Sequence, residues 1–144
     1  MSTNGSPELP YRAHLQLNTD LNLLAQVLAW FEQFNQPPVP YSVWLECQLA
    51  LAEGFTNAVR HAHEDQPTDA PIEIEVTVQR QAIEIRIWDV GAEFDLEQRL
   101  SNTPPIEDEA VHGRGLDIIK KIATTLSYSH IGQRNCLLII KNYE

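Results

Sequence analysis

Apolar and polar positions alternate along several short stretches of this chain and recur at helical spacing along others. From Tyr11 to Leu17, Tyr11, Ala13, Leu15 and Leu17 fall on one side, which predicts a strand. Asp20 is placed to cap a helix running to about Phe34, with Leu24, Val27, Leu28 and Phe31 as its buried stripe. Asn35-Gln36-Pro37-Pro38 ends it. A longer helix is expected from about Ser42 to His63, followed by a polar loop from Asp65 to Pro71. Ile72 to Gln79 and Ala82 to Trp88 alternate strictly, with Arg80-Gln81 between them at hairpin spacing. The pattern then dissolves from Asp89 to His112, apart from a short helical stretch at Asp95 to Leu100. Leu116 to Leu126 reads as a helix, and Ser127 to Ser129 and Asn135 to Tyr143 as closing strands. Strands and helices are grouped rather than alternating. This predicts an α+β two-layer sandwich, a mixed and mostly antiparallel sheet with helices packed on one face.

The 144 residues suit one domain, expected over residues 11 to 144 behind a flexible tail of residues 1 to 10. Apolar runs stay short, as in Leu49 to Ala52 and Leu137 to Ile140, so no membrane span is expected. The first twenty residues carry neither a basic nor an apolar leader region, and the two cysteines, Cys47 and Cys136, read as reduced core thiols; both point to a cytoplasmic protein. Ten basic against twenty acidic residues leave a net charge of −10, which argues against nucleic acid as a partner. The same field means that any anionic ligand needs local compensation.

Three segments carry candidate chemistry. The second helix is apolar on nearly every side, yet Glu53, Asn57 and His61 recur at i, i+4 and i+8 as one polar line. A carboxylate and an amide on so apolar a helix cost free energy to bury unless something engages them. In Trp88-Asp89-Val90-Gly91, an acid closes an apolar strand and a glycine two residues on permits an abrupt turn. In Gly113-Arg114-Gly115-Leu116, two glycines stand immediately before a helix, where free backbone N–H groups suit a phosphate. The last two signals are each common alone, whereas the polar line on so apolar a helix favours a functional role; the three in this order are stronger still. The five histidines do not have metal-site spacing: His61 and His63 lie two apart on a helix and face different ways. The Trp30-Phe31-Phe34 group reads as core packing, part of it available as a dimer face.

Taken together, the segments resemble the GHKL ATPases of the Bergerat fold. Glu53-Gly54-Phe55-Thr56-Asn57-Ala58-Val59-Arg60-His61-Ala62 is similar to the N box, Asp89-Val90-Gly91-Ala92-Glu93-Phe94 to the first glycine box, and Gly113-Arg114-Gly115-Leu116 to the second. His61 four residues after Asn57, and Phe94 where other branches carry glycine, resemble the bacterial anti-sigma-factor/serine-protein kinase branch, over about Leu15 to Tyr143. The resemblance implies ATP and Mg²⁺ as ligands. Asn57 would hold the metal, Asp89 the adenine amino group, and Gly91 and Phe94 the wall of the pocket. Gly113, Gly115 and Leu116 would hold the phosphates with help from His61 and Arg114, and Glu53 would be the general base. It further implies an antagonist (anti-anti-sigma-like) protein as phosphoacceptor, a sigma factor as a second partner, and a homodimer. Two features depart from the pattern. Gly54 stands where the family usually has Ala, and the lid from Ser101 to His112 has no Lys or Arg. The second departure leaves open an ATP-gated binding switch without kinase activity.

Overall fold

A computed structural model describes residues 8–63, 70–91 and 114–143. Five strands, β1 (Tyr11–Asn18), β2 (Pro71–Val78), β3 (Ala82–Asp89), β4 (Thr125–Ile131) and β5 (Arg134–Asn142), form one sheet in the order β1-β2-β3-β5-β4. Every neighbouring pair is antiparallel. Among the described residues the helices are α1 (Leu24–Phe31), α2 (Tyr41–His63) and α3 (Arg114–Ile122). The expected helical stretch at Asp95 to Leu100, the lid at Ser101 to His112, and Phe94 and Gly113 lie outside the described residues.

The period-two pattern sets the two faces of the sheet. Ile72, Ile74, Val76 and Val78 of β2, Ile83, Ile85 and Ile87 of β3, and Leu137 and Ile139 of β5 are buried in one core with Phe55, Leu51 and Val59 of α2 and Ile119 of α3. The intervening Glu73, Glu75, Glu84 and Arg86 are only half-buried; Arg134 pairs with Glu73 at 3.0 Å and Arg86 with Glu84 at 3.1 Å, while Glu75 accepts from the Trp88 indole N–H at 3.1 Å. Phe31 stacks on Trp44 at 5.8 Å between ring centroids, and the Trp44 indole N–H donates to the Phe31 carbonyl at 3.2 Å, fixing α1 against α2. Phe31 and Phe34 are core residues, while Trp30 is half-buried and meets Phe34 edge-on.

Three boundaries differ from expectation. Asp20 accepts from the Asn22 N–H at 2.9 Å, but the turn it caps is a 3₁₀ segment, Leu21–Leu23, that leads into α1. A second 3₁₀ segment, Glu32–Phe34, closes the helix. At the other end, α3 stops at Ile122 instead of running to Leu126. The Thr124 N–H pairs with the Ile140 carbonyl at 2.7 Å, and Thr125 and Leu126 stand opposite Ile140 and Ile139 in β4. Two successive β-branched residues at a place where β5 offers a free edge favour the ladder over another helical turn.

Candidate functional site

The central helix α2 brings two of the motif segments to one place, and both contacts depend on glycine. A Cβ on Gly54 would sit 2.5 Å from Cδ1 of Ile87, two residues ahead of Asp89. A Cβ on Gly115 would sit 3.0 Å from Oε1 of Glu53. The unusual Gly54 therefore lets α2 press directly on β3, and Gly115 lets the first turn of α3 close onto the Glu53 side chain. Glu53, Asn57 and His61 run along α2 as the sequence predicts. Glu53 and Asn57 are half-buried, and His61 is buried at 9% exposure.

Asp89 ends β3 and is 5% exposed. Its Oδ1 accepts from the Gly91 backbone N–H at 2.8 Å, which makes the turn that the Asp-Val-Gly spacing predicts, and from Asn135 Nδ2 at 3.0 Å. A carboxylate held by two N–H donors has a fixed orientation. Gly91 is itself buried, and its carbonyl accepts from the same Asn135 Nδ2 at 2.7 Å.

The helix α3 opens at Arg114, with Gly115, Leu116 and Asp117 in its first turn and Lys120 and Lys121 in its last. The lysines complement the negative end of the helix, leaving the positive end toward Glu53. The Leu116 side chain belongs to the core, so only its backbone N–H is available to a ligand. The first turn of α3 thus reaches α2 at Glu53, and the strand that ends in Asp89 reaches it at the adjacent Gly54 through Ile87.

Asn135 and its neighbour His130 were not singled out by the sequence reading. Asn135 is fully buried beside Asp89, with which it is paired in register across β3 and β5. The available signal was one amide at the head of an otherwise apolar strand, Asn135-Cys136-Leu137-Leu138-Ile139-Ile140. The Cys136 thiol next to it is pushed up to about 11 by burial, so it stays protonated and unreactive near neutral pH. Cys47 in the core is raised further, to about 12, again by burial.

The model of the histidine kinase-like ATPase domain matches residues 17–141 of this chain. Serine-protein kinase RsbW of Listeria monocytogenes serotype 4a is 33% identical over 67 residues, which are 46% of this chain and 42% of that protein. The same identity and shares hold for Serine-protein kinase RsbW of Listeria innocua serovar 6a. The matched stretch thus spans under half the length of these relatives. The crystal structure of the RsbU and RsbW domains of Rv1364c from Mycobacterium tuberculosis superposes with a TM-score of 0.65 at 14% identity, covering 91% of this chain and 32% of that one. At that identity the likeness concerns the fold. A family model spanning most of the chain, on a sheet-and-helix sandwich of the matching fold, establishes that the chain belongs to the histidine kinase-like ATPase domain family of the GHKL superfamily, within which it resembles the serine-protein kinase branch.

Proposed function

We propose that this chain binds ATP with Mg²⁺ and transfers the γ-phosphoryl group to a serine of an antagonist protein, in a cytoplasmic partner-switching pathway that also sequesters a sigma factor. The observation that carries this reading is the closure of Gly115 on Glu53 across α2, with Gly54 seated behind the Asp89 strand. In this reading Asp89 accepts from the adenine amino group. The N–H groups at the start of α3 take the phosphates, as a helix N-terminus does, with His61 and Arg114 as further hydrogen-bond donors. Asn57 would hold Mg²⁺ through its amide oxygen, and the metal would neutralise phosphate charge and answer the chain's net charge of −10. Phe94 and Gly113 complete the pocket by analogy with the family. The Glu53 carboxylate takes the proton from the serine hydroxyl as its oxygen bonds to the γ-phosphorus, and ADP departs with the electron pair of the broken P–O bond. The chain acts as a homodimer.

A second reading rests on one feature of the sequence. The Ser101 to His112 lid supplies no Lys or Arg to the γ-phosphate. Under that reading the protein is an ATP-gated binding switch without significant kinase activity. Glu53→Gln separates the two. It keeps shape and removes basicity, so it should preserve ATP affinity while lowering serine phosphorylation by ~10²–10⁴-fold. A wild type that phosphorylates no candidate antagonist, yet releases a partner when ATP replaces ADP, establishes the switch instead.

A further inference from the structure

Asp89, Asn135 and His130 stand side by side on three neighbouring strands. Asn135 is the register partner of Asp89 across β3 and β5, and of His130 across β5 and β4. Side-chain bonds run along the row. Asn135 Nδ2 donates to Asp89 Oδ1 at 3.0 Å and to the Gly91 carbonyl at 2.7 Å, and the Asn135 amide oxygen lies 2.7 Å from His130 Nδ1. The two acceptors on the Asp89 side fix which end of the amide is nitrogen, because only an NH₂ satisfies both. The oxygen must then face His130. An amide oxygen at 2.7 Å from a ring nitrogen is favourable only if that nitrogen carries the proton, so His130 is held with hydrogen on Nδ1. Asn135 is fully buried, so this N–H is what answers its oxygen. His130 itself is exposed on β4, the edge strand.

We propose that His130 is a positioning residue for base recognition: its Nδ1–H anchors Asn135, which in turn aims the Asp89 carboxylate at the adenine amino group. The inference rests on the adenine reading of Asp89 given above. It extends the site outward by two hydrogen bonds, to a residue that touches no ligand. A donor at the far end of a hydrogen-bonded row strengthens and steadies the members nearer the ligand. Removing it leaves a buried amide oxygen without a partner, and Asn135 then has reason to rotate away from Asp89.

The test is Mg-nucleotide binding to the full chain by calorimetry, with ATP and with ITP, which carries a carbonyl where adenine carries its amino group. His130→Phe keeps a ring and removes the donor, and His130→Asn returns an N–H close to the position of Nδ1. ATP should bind roughly three- to tenfold more weakly to His130→Phe, the range for one lost neutral hydrogen bond, while ITP binding stays unchanged, so that the ATP/ITP ratio narrows. His130→Asn should restore the ratio. Wild-type ATP affinity in His130→Phe, equal loss for both nucleotides, or no recovery in His130→Asn would each overturn the assignment. Asp89→Asn in the same series tells the two layers apart. If it collapses the ratio and His130→Phe does not, only the His130 role fails; if it leaves the ratio untouched, the adenine reading of Asp89 fails and the His130 role falls with it.

Discussion

Replacing Gly54 by alanine tests how α2 is seated on the sheet behind the site. In an exposed helix interior the change should stabilise by about 1 kcal/mol through helix propensity. Here the added carbon would meet Ile87 Cδ1 at 2.5 Å, with Leu137 Cδ2 at 3.7 Å and Ile119 Cδ1 at 3.8 Å beside it. Ordinary carbon contacts lie near about 3.5–4.0 Å, so the Ile87 methyl must retreat by roughly 1 Å. All three side chains are buried, so the methyl has to move among packed neighbours. Overpacking of this kind costs about 1–3 kcal/mol, so Gly54→Ala should be net destabilising by roughly 0–2 kcal/mol after the propensity gain. The decisive partner is Ile87→Val, which deletes Cδ1. On its own it should cost about 0.5–1.5 kcal/mol as a small cavity. Combined with Gly54→Ala, the new methyl occupies that space, and the double variant should recover most of the loss, with a favourable coupling of about 1–3 kcal/mol. Urea denaturation of the four proteins measures the cycle. Additivity within about 0.5 kcal/mol would refute the contact.

Two further outcomes follow from the same geometry. Gly115→Ala places its methyl 3.0 Å from the Glu53 carboxylate oxygen, so it should displace that side chain and lower serine phosphorylation by at least ~10-fold with unfolding midpoints little changed; full activity in a kinase assay would show that Glu53 has room to spare. The buried thiols make the fold sensitive to alkali. Cys47 and Cys136 have folded values raised from 9.0 to about 12 and about 11, so the folded chain keeps protons that the unfolded chain loses. Stability is then complete below about pH 9 and falls as pH rises from 9 toward 11–12. At about pH 10 the two thiols together should remove on the order of 3 kcal/mol, and Cys47→Ala should recover about half, as read by urea titrations at about pH 8 and pH 10. Equal stability at both pH values would count against burial of the two groups.

The parts of the fold that were legible in the sequence are those where one periodicity dominates. Ile72 to Val78 and Ala82 to Asp89 alternate so regularly that strand, face and hairpin all follow from the pattern. The helix α2 was legible because Glu53, Asn57 and His61 interrupt an otherwise apolar surface on a single line. The end of α3 was not. Leu116 to Leu126 keeps helical spacing, and only the edge of β5, distant in sequence, draws Thr125 and Leu126 into a strand. Asn135 escaped notice for a related reason. Its meaning depends on the β3–β5 register that sets it opposite Asp89, and local patterning carries no information about register between residues 46 apart in sequence. Gly54, by contrast, stood out as a departure from the resembled motif, and the Ile87 contact gives its physical reason.

The central claim is that the line on α2, the Asp89 turn and the first turn of α3 are parts of one nucleotide site. Titrating ¹⁵N-labelled protein with Mg-ATP and following amide resonances tests it most directly. The account predicts that the Asn57 side-chain amide and the backbone amides of Gly91, Gly115 and Leu116 shift together and fit one dissociation constant, while amides of Arg12 and Thr77, on the open face of the sheet, stay in place. Shifts that are confined to one of these segments, that fit different constants, or that appear first on the open face would contradict it.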